Sequence, residues 1–218
     1  NENATLNVKG QSVPFVFVDS TQGWINTMDS TSNVRGASFI TATGETITTS
    51  GNDKIHTFTG PGTFTVNSIG SVPTNEISYM IIAGGGGGGQ NDGGGGGAGG
   101  FREVKSPVTP YTASPKCGYG TPGNRITVSA QGYPIVVGGG GVAAPNGPTP
   151  GSSGSVSSGF GITSAGGGGG GSESNGNIGL TGGSGGGGSA GGGNQGPGAA
   201  GNTPPVTPSQ GSNGGGAA

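Results

Sequence analysis

Long runs of consecutive glycine occur from residue 84 onward in this chain, and they limit its possible folds more than any other feature. Each run contains three to six glycines, and the runs lie at 84–89, 93–97, 138–141, 166–171, 185–188, 191–193 and 214–216. Glycine has no Cβ and loses the most conformational entropy when it becomes ordered. A glycine run is therefore either a flexible linker or an extended helix with three residues per turn, whose peptide groups point outward and can bond to neighbouring helices.

Three properties of the runs favour the ordered alternative. The runs are nearly pure glycine, several have similar lengths, and the stretches between them contain the turn-forming residues Asn, Asp, Pro and Ser. Such stretches would allow each helix to reverse its direction. No strict three-residue glycine repeat is present, which excludes collagen. The sequence therefore predicts packed polyglycine II-type extended helices from Gly84 onward.

The residues before Gly84 have the pattern of short antiparallel strands. Residues 13–18 and 24–28 flank a turn at 19–23, which predicts a hairpin. The segment 77–83 is almost continuously apolar, which predicts a strand buried on both faces. No segment has helical periodicity. Further strand-like segments, some of them between the glycine runs, lie at 38–41, 45–49, 54–59, 63–66, 101–104, 125–128, 133–137 and 160–163.

The composition agrees with this division of the chain. Hydrophobic residues make up only 27% of the 218 residues and charged residues 7%, so a conventional core cannot extend through the whole chain. The predicted fold is an all-β N-terminal part of small antiparallel modules, followed by a glycine-rich domain of packed polyglycine II-type extended helices, with essentially no α-helix. The predicted parts are a hairpin module at 1–36, an antiparallel β module at 37–83 and the glycine-rich domain at 84–218.

Residues that carry catalysis or bind metals are scarce. His56 is the only histidine and lies on a predicted strand, and Cys117 is the only cysteine. The pattern Gly-x-Ser-x-Gly occurs at 182–186, but in low-complexity sequence without the strand–turn–helix context that its chemistry needs. We therefore predict that the chain is not an enzyme and binds no cofactor or metal. A net charge of −2 and the lack of a long apolar run predict neither nucleic-acid binding nor membrane insertion.

Several mixed-sequence stretches resemble glycine-rich bacteriophage tail fibres and related virion proteins. The stretches are 81–83 leading into the first glycine run, 98–103, 126–128, 160–165 and the strand pair at 54–66, while 18–24 is similar to a module of marine phage structural proteins. The resemblance implies a component of a virion fibre or spike, on the virion surface, with connecting loops that contact a host-cell receptor. Two alternatives remain open: a fibre that decorates the capsid, and a cellular extracellular glycine-rich structural or receptor domain.

The sequence also suggests which partners this chain has. Because its hydrophobic content leaves little core per chain, and a thin sheet has unsatisfied edges, we expect self-association, most simply as a homotrimer. The resemblance adds other virion proteins as partners. The chain begins Asn1-Glu2, which is neither a signal peptide nor a natural start, so we expect it to be a piece of a longer protein.

One mixed segment, 106–124, is the candidate contact surface. It is rich in Pro and Thr and contains Tyr111, Lys116 and Tyr119. Aromatic residues on loops often bind sugars or proteins, so these three residues are candidate receptor contacts. The same segment would equally suit wrapping around another subunit.

Overall fold

The computed structural model describes residues 15–20, 23–26, 39–70, 75–145, 149–173, 178–191 and 193–218. The chain forms two compact units, 1–38 and 39–218. The described residues contain strands and extended segments but no α-helix, which confirms the all-β prediction. Within them, no helix is long and apolar enough to cross a membrane.

The described part of the first unit is a hairpin. Its strands are β1 (Phe15–Asp19) and β2 (Gly23–Asn26), which pair in an antiparallel manner with Phe17 opposite Trp24. The register shifts between Phe17 and Asp19. The hairpin confirms the strand prediction for this part of the chain, and the predicted strand residues 13, 14, 27 and 28 lie outside the described residues.

The second unit begins with short antiparallel strands arranged as one three-stranded and several two-stranded sheets. The order β11–β6–β3 forms the three-stranded sheet, and the pairs are β4–β5, β7–β10, β8–β9 and β12–β13. The strands are β3 (Thr41–Thr43), β4 (Thr46–Ser50), β5 (Asp53–Thr57), β6 (Gly62–Ser68), β7 (Glu76–Ile77), β8 (Tyr79–Ile82), β9 (Phe101–Val104), β10 (Ile126–Thr127), β11 (Gly132–Ile135), β12 (Ser157–Gly159) and β13 (Ile162–Ser164).

A small apolar core stabilises these strands. It consists of buried Phe64, Val66 and Val128, with partly buried side chains packed around them. Phe64 and Val66 are two residues apart on β6, so both side chains point to the same face. The rings of His56 and Phe160 contact Phe64 edge-on, with centroids 4.9 and 5.5 Å from it. His56 is therefore a packed strand residue.

The prediction that 77–83 is one strand buried on both faces is wrong. The segment is divided at Ser78 between β7 and β8. Tyr79 and Ala83 are buried, whereas Met80 and Ile82 are 54% and 56% exposed. The strand is covered on one face only, so alternate side chains are exposed.

Nine extended segments, which we call rods 1 to 9, build the described glycine-rich part. Backbone hydrogen bonds join each rod to its neighbours, and consecutive rods run in opposite directions. This confirms that the glycine runs within the rods are ordered and that the stretches between rods reverse the chain. The run at 191–193 lies in none of the rods. The rods are 84–89, 94–100, 138–144, 151–155, 165–171, 179–183, 184–189, 196–202 and 212–217.

The hydrogen bonds repeat every three residues, as a polyglycine II helix requires. The amides of Gly84 and Gly87 donate to rod 4, whereas those of Gly86 and Gly89 donate to rod 2. The carbonyls of Gly84 and Gly87 accept hydrogen bonds from rod 5. Each rod therefore uses a different face for each neighbour, and the lattice is held by peptide groups.

Rod 5 lies at the centre of this lattice. It is bonded to rods 1, 2, 4, 6 and 7, and all its residues are buried. A Cβ added to Gly168 would lie 2.6 Å from the carbonyl carbon of Leu180 and closer still to its oxygen. At Gly95 and Gly139, which are exposed, an added Cβ would meet nothing within 4 Å. Glycine is thus required where rods face each other and not at positions that face solvent.

Strand pairing connects residues that precede Gly84, where the glycine runs begin, with residues that follow it. Strand β8 pairs with β9, and β6 pairs with β11, although each pair has one member before and one after the break. The division into 1–36, 37–83 and 84–218 stays a prediction.

Candidate functional site

The alternating rods sort the connections of the lattice into two ends. The base end, where rod 1 begins, carries the segments 101–137, 156–164 and 203–211, which hold β9 to β13. The far end carries the shorter connections 90–93, 145–150, 172–178 and 190–195, of which 146–148, 174–177 and 192 lie outside the described residues. The candidate segment 106–124 therefore belongs to the base end.

The structure places the three candidate residues in different environments. Lys116 donates a hydrogen bond from Nζ to the carbonyl oxygen of Ser209, at 2.9 Å. The hydroxyl of Tyr119 donates to Oε2 of Glu76 at 3.3 Å, and the guanidinium of Arg125 lies 5.2 Å from the centre of its ring. Lys116 and Tyr119 are thus half-buried and bonded within the chain.

Tyr111 is the candidate residue with the most accessible side chain, at 41% exposure. Burial of its hydroxyl raises the pKa of Tyr111 to about 12, and the nearby charge and hydrogen bond of Glu103 add to that effect. Glu103 is buried, and its Oε2 also accepts hydrogen bonds from the amide and hydroxyl of Ser114, at 2.8 and 2.5 Å. The carboxylate therefore holds the Tyr111 loop in place.

Exposed apolar side chains lie on the sheet face that carries Glu103, the hydrogen-bond partner of Tyr111. Met80 lies directly opposite Glu103 in the β8–β9 pair, so both side chains are on the same face of the sheet as the Tyr111 contact. Ile82 lies two residues further along that face, opposite Phe101. Met80 and Ile82 are more than half exposed, so this face presents aliphatic side chains to solvent.

A buried polar cluster fixes this segment to the lattice. Asn124 accepts a hydrogen bond from Arg102 through Oδ1 and donates one to the carbonyl of Thr207 through Nδ2, both at 2.9 Å. The hydroxyl of Tyr79 donates to the carbonyl of Asn124 at 2.9 Å. Tyr79 has a raised pKa because it is buried, and the charge of Arg102 opposes the increase.

Sequence reasoning missed this cluster. Arg102 is 9% exposed and Asn124 7%. The available signal was the pair of adjacent charges at 102–103 inside a strand-like segment. Buried polar groups need hydrogen-bond partners, so such a pair indicates a polar network.

The acidic side chains and the thiol of this region are hydrogen-bonded within the chain. No group of three or more potential metal ligands occurs among the described residues. Carboxylates of Glu76 and Glu103 accept hydrogen bonds from neighbouring side chains, and Cys117 accepts one from the amide of Lys105. The surface offers an aromatic ring, aliphatic side chains and peptide groups.

Tyr111 allows a test of this local geometry. Because its pKa is about 12 in the folded chain against 10.0 for an ordinary tyrosine, its contribution to stability is present below pH 10 and is lost as the pH rises toward 12. We expect Tyr111→Phe to be less stable than the wild type at pH 9, by about 1 kcal/mol for a lost hydrogen bond. Urea denaturation should show that the difference in free energy of unfolding between the two proteins is smaller at pH 11 than at pH 9. An equal difference at both pH values would contradict the placement of the hydroxyl beside Glu103.

Comparison with known protein families supplies one match. Residues 57–218 match the model of a family described as a glycine-rich domain. The match begins at the last residue of β5 and includes all nine rods. Comparisons with curated proteins and with solved structures found no match.

Proposed function

Because the chain belongs to the family of glycine-rich domains, we propose that it is a structural, non-catalytic component of a bacteriophage fibre or spike. In this proposal it is displayed on the virion surface, assembles with copies of itself and other virion proteins, and contacts a host-cell receptor. It acts without a cofactor, nucleic acid or membrane insertion. The phage assignment rests on the mixed-sequence stretches that resemble tail-fibre proteins, in particular 54–66 and 98–103.

The observation that carries the proposal is a lattice held together by peptide groups. The six residues of rod 1 span about 19 Å at about 3.1 Å per residue. Because adjacent rods are bonded at every third residue, the lattice forms a firm body that holds loops at both ends. Such a rigid lattice suits a virion fibre, which has to hold a contact surface at a distance from the particle.

The receptor contact in this proposal is the surface around Tyr111. In this proposal, the accessible ring of Tyr111 and the exposed Met80 and Ile82, which share the sheet face of Glu103, form an apolar platform. Platforms of this kind suit sugar rings and protein side chains. Lys116 and Tyr119 then act by holding the segment against the lattice through Ser209 and Glu76.

The location of the chain can be tested on intact particles. Gold-labelled antibodies raised against the purified full chain should bind the fibres or spikes of virions that carry it. Labelling spread over the capsid would instead favour the decoration fibre. Particles without label, together with label on cell surfaces, would favour the cellular alternative and contradict a virion component.

The contact can be tested by competition. Added full-length chain should lower adsorption of the phage to its host cells about tenfold at saturation, because both occupy the same receptor. Tyr111→Ala should lose this effect, whereas the control Val142→Ala, which changes a side chain that is 72% exposed on rod 3, should keep it. Equal competition by both variants would exclude the Tyr111 surface.

A further inference from the structure

The hairpin formed by β4 and β5 is covered by little of the described chain. All five residues of β4 are exposed, and among the strands that the structure describes only β5 pairs with it. Five residue pairs join the two strands, from Thr46 opposite Thr57 to Ser50 opposite Asp53. Within the described part of the chain, both outer edges therefore carry unpaired peptide groups. A two-stranded hairpin without cover is only marginally stable in water.

The two faces of the hairpin differ. Ile47 and His56 are opposite each other and share one face. That face is directed toward the body of the unit, because His56 contacts the ring of Phe64 and its Nδ1 lies 3.1 Å from the carbonyl oxygen of Gly44. The other face carries Thr48 opposite Ile55, and Ile55 is 47% exposed. This free face carries Thr46, Thr48, Ile55 and Thr57, and ends at the turn with Ser50 opposite Asp53.

Strand β4 also lacks the usual protection of an exposed edge. Proteins use a lysine, a proline or a β-bulge on an open edge strand to prevent it from pairing with another strand. The outer strand β11 has such a residue, Pro134, whereas β4 has the sequence Thr-Ile-Thr-Thr-Ser and pairs in unbroken register. The β4 edge thus has the composition of a strand that pairs, whereas β5 carries one lysine, Lys54, next to the turn.

We propose that this hairpin is the contact through which three copies of the chain assemble, with the β4 edge of one copy paired to the β5 edge of the next. This inference rests on the self-association included in the proposed function and identifies its surface. Strands β4 and β5 have equal lengths. Each contact between two copies therefore pairs the free peptide groups of one β4 edge with those of one β5 edge. A ring of three hairpins closes six strands and leaves no edge open. Two copies would close only four strands, a ring too narrow to fill with side chains.

The free face points inward in this ring. Each copy contributes Ile55 at the middle of the hairpin, with Thr48 opposite it and Thr46 and Thr57 beside it. The three isoleucines meet at the axis and are removed from water, while the threonines form cross-strand contacts. The face with Ile47 and His56 remains directed toward each chain's own core.

Two matched substitutions test the assignment. Ile55 and Ile47 lie on the same hairpin with nearly equal exposure, 47% and 44%, but on opposite faces. We expect sedimentation of the full chain at micromolar concentration to show a trimer for the wild type and for Ile47→Glu. Ile55→Glu should raise the concentration of half-dissociation about 100-fold or more, since three carboxylates would meet at the axis. Thr48→Lys, on the same face as Ile55, should act in the same way.

Each other outcome contradicts a defined part of the inference. A wild type that sediments as a monomer excludes the homotrimer and this interface but leaves fibre membership to the antibody labelling. A trimer that survives both Ile55→Glu and Thr48→Lys places the interface elsewhere on the chain. Equal dissociation by Ile47→Glu and Ile55→Glu contradicts the assignment to the free face.

Discussion

Gly168→Val is expected to unfold the glycine-rich part of the chain. The added Cβ would lie 2.6 Å from the carbonyl carbon of Leu180 and 2.9 Å from the amide nitrogen of Gly186. Real side chains do not occupy such positions, so rods 5 and 6 would have to separate. Their separation breaks backbone hydrogen bonds, among them those from Leu180 to Gly169 and from Gly183 to Gly166. Each buried group left unpaired costs about 1–3 kcal/mol, and a domain has only about 5–15 kcal/mol in total.

The matched control is the same substitution at Gly139. This glycine also lies in a rod, but it is exposed and an added Cβ would have open space around it. We expect Gly139→Val to melt within a few degrees of the wild type, and Gly168→Val to lose its thermal transition and become sensitive to protease. If Gly168→Val and Gly139→Val had the same melting curve, the glycine runs would be flexible linkers and not a packed lattice.

Gln210→Ala is expected to cause the second largest loss, about 1–3 kcal/mol, because the buried amide of Ala165 is left without a partner. Gln210 is 2% exposed. Its Oε1 accepts a hydrogen bond from the amide of Ala165, where rod 5 begins, and its Nε2 donates to the carbonyl of Pro204, both at 2.8 Å. The side chain thus joins the centre of the lattice to the connection between rods 8 and 9. Truncation removes both bonds at once.

Two comparisons separate this effect from the general cost of losing a glutamine. Gln195 is exposed in the far-end connection, so Gln195→Ala should leave the free energy of unfolding within about 0.5 kcal/mol of the wild type. Gln210→Glu keeps the acceptor for Ala165 but loses the donor and buries a charge, so it should also be destabilising. Urea denaturation measures all three variants. Equal stability of Gln210→Ala and Gln195→Ala would contradict the buried position.

The glycine lattice could be predicted from the sequence because its requirement is local. A rod that faces other rods has no room for a Cβ, as at Gly168, so the need for glycine is written directly in each run. Which rods are neighbours could not be predicted, because runs of identical residues offer no side chains that distinguish one partner from another. Rod 1, for example, bonds to rod 5 across a separation of some eighty residues as readily as to rod 2.

The candidate site was predictable only as a segment. The Tyr, Pro and Thr content of 106–124 indicated a surface, but the sequence could not show that Tyr111 is accessible while Lys116 and Tyr119 are bonded to Ser209 and Glu76. Those contacts join residues far apart in sequence. The prediction for 77–83 failed for a related reason: apolar content alone does not show that a strand is covered on one face only.

The lattice of peptide groups also determines how the free energy of unfolding changes with temperature. Unfolding raises the heat capacity in proportion to the apolar surface that becomes exposed, whereas exposure of polar surface lowers it. Here the buried apolar side chains of the core cluster are Phe64, Val66 and Val128, while rod 5 buries almost nothing but backbone. The heat-capacity increment per residue should therefore fall well below the usual 12–15 cal/mol/K or so. The stability curve is then broad and flat, and cooling weakens this fold far less than one built on an apolar interior.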